Sequence, residues 1–120
     1  PDVIVIDVVE PVYYDQSLLN MSGNMMKDIR DSGVAAGQKY VETVSEQLRK
    51  DGINASGVVE MGKPADVIID YAEKNNVDLI MLCTHGRSGV TRWIFGSVAE
   101  RILQNAAVPV FMLSLRKMKN

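Results

Sequence analysis

The chain has 120 residues, thirteen basic and fifteen acidic, for a net charge of −2 and a pI near 5.3. With 47% hydrophobic and 23% charged residues, it is composed like an ordinary globular domain and is long enough to bury one core. These values exclude a disordered or collagen-like chain, and the slight acidic excess argues against a surface that neutralises nucleic-acid phosphates. One cysteine, Cys83, and one histidine, His85, leave neither a disulfide framework nor a Cys/His zinc cluster, which fits a reducing, cytoplasmic setting. No apolar run approaches the roughly 20 residues that cross a bilayer, and the opening residues lack the basic start and cleavage site of a secretion signal. Neither a membrane nor a nucleic acid is an expected partner.

The first element is a β-branched run from Val3 to Val9, without alternation, which is how a strand covered on both faces reads. Within it Asp7 must be paired, hydrogen-bonded or solvated at the strand end, and its place near the carboxyl end makes solvation the leading expectation. Pro11 to about Asn24 shows no period and reads as a surface loop. Tyr13, Tyr14, Met21, Met25 and Met26, which show no clear period, either form an adaptable contact surface or pack under the helix that follows. Val34, Gly37, Val41, Val44 and Leu48 recur at helical spacing, with Lys39, Glu42, Glu46 and Arg49 facing water and Asp51-Gly52 ending the helix. Ile53 to Met61 reads as a shorter strand of mixed character, suited to an edge.

Pro64 stands where a first helical residue belongs. Ala65, Ile68, Ile69 and Ala72 then form an apolar stripe closed by Asn75-Asn76. Asp78 to Cys83 is a second apolar strand, Ser97 to Asn105 a helix with Val98, Ile102 and Leu103 facing inward, and Val108 to Leu113 a last strand. Strands and helices alternate, which predicts an α/β fold: a doubly wound, Rossmann-like parallel sheet with helices on both faces, in one domain over residues 1–120.

In such a sheet ligands bind beyond the carboxyl ends of the strands. The loop after Cys83 stands out there. Gly86 and Gly89 permit positive φ, Gly96-Ser97 opens a helix whose free N–H groups and dipole favour an anion, and Arg87 and Arg92 supply counter-charge. A phosphate cradle and a plain turn followed by a capped helix are both compatible with that spacing. Gly57 to Pro64 nearly spells a P-loop, but Pro64 offers no hydroxyl for Mg²⁺ and no N–H, and Glu60 repels phosphate. No nucleophile elbow is present, and no catalytic residue is assigned.

Gly62-Lys63-Pro64-Ala65, Val77-Asp78-Leu79-Ile80, Thr84-His85-Gly86-Arg87-Ser88-Gly89, Gly96-Ser97-Val98-Ala99-Glu100-Arg101 and Val108-Pro109-Val110 together resemble the universal stress protein family. The resemblance implies the doubly wound fold and, in one branch, binding of ATP or another adenine nucleotide with Mg²⁺. The motif of that branch is Gly, two residues, Gly, nine residues, Gly, then Ser or Thr. Gly86, nine residues and Gly96-Ser97 match its second half. By that resemblance Gly86, Gly96 and Ser97 hold the phosphates beside Val98. Val8 contacts adenine or ribose through its backbone, and Leu82, His85, Arg87 and Gly89 flank the same loop. The family also implies a homodimer, with the last strands pairing through Val108, Val110 and Met112.

Two departures stand out. Cys83 occupies the position of the motif's first glycine, where a side chain crowds the nucleotide. The family's first strand and helix have no counterpart here, so roughly 30 or more upstream residues are expected beyond Pro1, or a strand from another chain. The leading expectation is a cytoplasmic stress-response regulatory module that binds an adenine nucleotide. Its rivals are a nucleotide-free dimeric interaction module of the same fold and an ATP-consuming transferase or ATPase.

Overall fold

A computed structural model describes residues 2–10, 23–83 and 97–113. The chain packs as two compact units, Pro1–Lys63 and Pro64–Asn120. In the first, β1 (Asp2–Val9) and β2 (Asn54–Met61) pair in parallel from Asp2↔Asn54 to Val9↔Met61, joined through α1 (Gly23–Lys50). Asp7, Val8 and Val9 are all buried although successive side chains point to opposite faces, so the carboxyl end of β1 is covered on both sides. The Asp7 carboxylate therefore does not sit in solvent as its position near the strand end suggested. The residue is 8% exposed and makes a polar contact within the fold. The near P-loop from Gly57 falls within strand β2, followed by the start of a helix at Pro64.

Helix α1 starts earlier than its clear apolar period. It takes in Gly23 and Asn24, two residues expected to belong to the preceding loop. Gly33, Gly37, Val41 and Ser45 recur every four residues along its covered side, whereas Met25 and Ile29, further upstream at the same spacing, are 50% and 39% exposed. Lys39, Glu42, Glu46 and Arg49 are exposed as the spacing requires. Arg49 donates from Nη1 to the Ala55 carbonyl at 2.7 Å and from Nη2 to Glu42 Oε1 at 2.6 Å, tying the last turns of α1 to β2.

The helix ends in a Schellman motif. Ile53 N–H donates to the Leu48 carbonyl and Gly52 N–H to that of Arg49, each at 3.0 Å, while Gly52 takes φ +84°. A side chain at that φ is strained by roughly 1 kcal/mol or somewhat more. Nothing lies within 4 Å of a Cβ built there, so Gly52→Ala isolates the backbone effect. We expect it to lower stability by about 1 kcal/mol in urea titration; an unchanged midpoint contradicts the left-handed cap.

In the second unit α2 (Pro64–Lys74) begins at its proline and buries Ala65, Ile68 and Ala72. Val77 N–H reaches the Ala72 carbonyl at 2.9 Å, and Asn76, at φ 52°, fills the left-handed position that Gly52 fills after α1. β3 (Ile80–Cys83) and β4 (Val110–Leu113) pair in parallel through α3 (Ser97–Asn105). Both strands are shorter than their apolar runs. Arg101 Nε meets Asp66 Oδ1 at 2.7 Å between α3 and α2, an exposed pair worth at most about 1 kcal/mol. Ala99 and Ile102 are almost wholly enclosed, whereas Leu103, expected to face inward, is 49% exposed. One residue of a helix turns the side chain by about 100°, which carries Leu103 off the buried face.

Candidate functional site

The parallel pairing of β3 with β4 makes α3 run back against them, so its N-terminus and the carboxyl end of β3 lie at the same end of this unit. Leu82 is buried in β3, and Cys83 closes the strand. Ser97 is the first residue of α3 and is exposed; Val98 beside it is half-buried. The first N–H groups of a helix have no partner within it and carry the positive end of its dipole. One acid, Glu100, stands in that first turn, and its Oε1 accepts from Gln104 Nε2 at 3.4 Å one turn further on. His85, Gly86, Arg87, Gly89 and Gly96, the rest of the expected loop, lie outside the described residues.

Val8 belongs to the first unit. It is 4% exposed near the carboxyl end of β1, opposite Glu60 in β2. The buried neighbour Asp7 is the polar group that sequence reasoning placed wrongly. Its signal was available: a carboxylate inside an unbroken β-branched run is flanked by residues that seek burial.

Two depressions in the second unit lie elsewhere. One is apolar, lined by Ile69, Ala72, Ile80 and Val108, and sits at the amino ends of β3 and β4. The other is lined by Asp66, Asp70, Glu73 and Arg101, and its acidic excess is unsuited to phosphate. Among the described residues no group of three or more His, Cys, Asp or Glu side chains is placed to hold a metal ion. No helix among them is long and apolar enough to cross a membrane.

The sequence matches the family model of the universal stress protein family over residues 2–114, nearly its whole length. This chain is a member of the universal stress protein family. It is 36% identical over 81 residues to universal stress protein MJ0531 of Methanocaldococcus jannaschii, covering 68% of this chain and 48% of that protein. With universal stress protein YxiE of Bacillus subtilis it shares 28% over 90 residues, covering 75% and 61% respectively. The chain thus spans about half to three fifths of the length of these relatives. Among solved structures, universal stress protein UspA from Lactobacillus plantarum superposes with a TM-score of 0.74 at 20% identity, covering 92% of this chain and 76% of that one. Protein MJ0577 superposes with a TM-score of 0.75 at 19% identity, covering 94% and 75%. The universal stress protein fold, α/β with parallel strands, is therefore the fold of this chain.

Proposed function

We propose that this universal stress protein is a cytoplasmic regulatory module that binds ATP or another adenine nucleotide with Mg²⁺. In this reading the segment Gly86 to Gly96 and the first turn of α3 hold the phosphates. The observation that carries it is Ser97: the motif's last residue is exposed and is the first residue of the helix that follows β3 in the chain. There its hydroxyl and the free N–H groups of the first turn suit an anion. Arg87 and Arg92 supply counter-charge. The reading includes a homodimer built on β4, whose Val110 is half-buried and whose Met112 is 39% exposed.

The second reading, a nucleotide-free interaction module, rests on Cys83 at the end of β3, where the motif has glycine. Titration with ATP and Mg²⁺ by calorimetry separates the two. In the nucleotide reading Ser97→Ala weakens binding about tenfold, through loss of a hydrogen bond to a charged group worth roughly 1.5 kcal/mol. Cys83→Gly tightens it by a similar factor as crowding is relieved. No heat of binding with the natural chain or with Cys83→Gly overturns the proposal in favour of the interaction module.

A further inference from the structure

We draw no further inference here: the strongest candidate, the exposed apolar face of the β3–β4 sheet where Met81 stands opposite Phe111 with Leu79 beside them, carries no proposal because nothing in the structure shows what covers it.

Discussion

Ile102→Ala is expected to lower stability by about 3 kcal/mol, within the range of roughly 2 to 5 kcal/mol for emptying a buried isoleucine site. Ile102 is the one large apolar side chain that is 0% exposed among the described residues, and it sits in α3 within a turn and a half of Ser97. A chain of this length has a total stability of roughly 6 to 18 kcal/mol, so the loss is a large fraction of it. The neighbouring Leu103, 49% exposed, serves as the internal control. Leu103→Ala is expected to cost under about 1 kcal/mol, since surface truncations rarely cost more. Urea unfolding followed by circular dichroism reads both, with the midpoint shifting at constant slope. Equal losses for the two variants contradict the rotational setting of α3 and, with it, the direction in which Ser97 is presented.

The second large effect lies where α1 crosses β2. A Cβ built on Gly57 falls 2.6 Å from Val41 Cγ2, 2.8 Å from Val41 Cβ and 3.2 Å from the Val41 backbone carbon. Val41 is itself 4% exposed, and valine in a helix has essentially one rotamer, so it cannot swing aside. Gly57→Ala therefore forces helix and strand apart, at a cost of about 2 kcal/mol or more. The double variant with Val41→Ala makes the test specific. If the contact is the cause, the two losses are less than additive by about 1 kcal/mol or more, because each change relieves the other. Strict additivity in thermal or urea unfolding contradicts the close approach of α1 to β2.

How much of this was legible in the chain depended on whether one physical signal spoke alone. Helix α3 was read with both its ends, since Gly96-Ser97 and the close of the apolar pattern at Asn105 bracket it. Pro64 and Asn75-Asn76 bracketed α2 in the same way. The β-branched run of β1 announces a strand covered on both sides, which holds for Asp7, Val8 and Val9 at its carboxyl end, whereas Ile4 is 39% exposed and Val3, Val5 and Ile6 are half-buried. For Asp7 two signals compete, the β-branched run that calls for burial and the carboxylate that calls for water, and the run prevails because the fold supplies the carboxylate with a polar contact. Leu103 is likewise settled by the fold: a leucine beside Ile102 fits an apolar pattern, and only the packing decides which of two adjacent positions points inward.

For the candidate site, spacing revealed a glycine-rich loop between a strand and a helix, and the structure bears out the strand before it and the helix after it. Spacing does not separate a loop that cradles phosphate from one that merely turns, since both use glycine and a serine at the helix start. The family resemblance supplied the ligand. Cys83 is the residue at which that inference meets a specific chemical objection, and an affinity measurement with Cys83→Gly addresses it directly.

The property that decides between the two readings is nucleotide binding by the loop that ends at Ser97. Its most direct test is mass spectrometry on freshly purified full-length protein, first under native conditions to count subunits and then after denaturing extraction to identify any bound small molecule. The expected result is a dimer that carries ATP or another adenine nucleotide at close to one per subunit, or that takes it up when ATP and Mg²⁺ are added. An empty protein that ignores added ATP contradicts it, and makes the segment from Gly86 to Ser97 a structural turn leading into a capped helix.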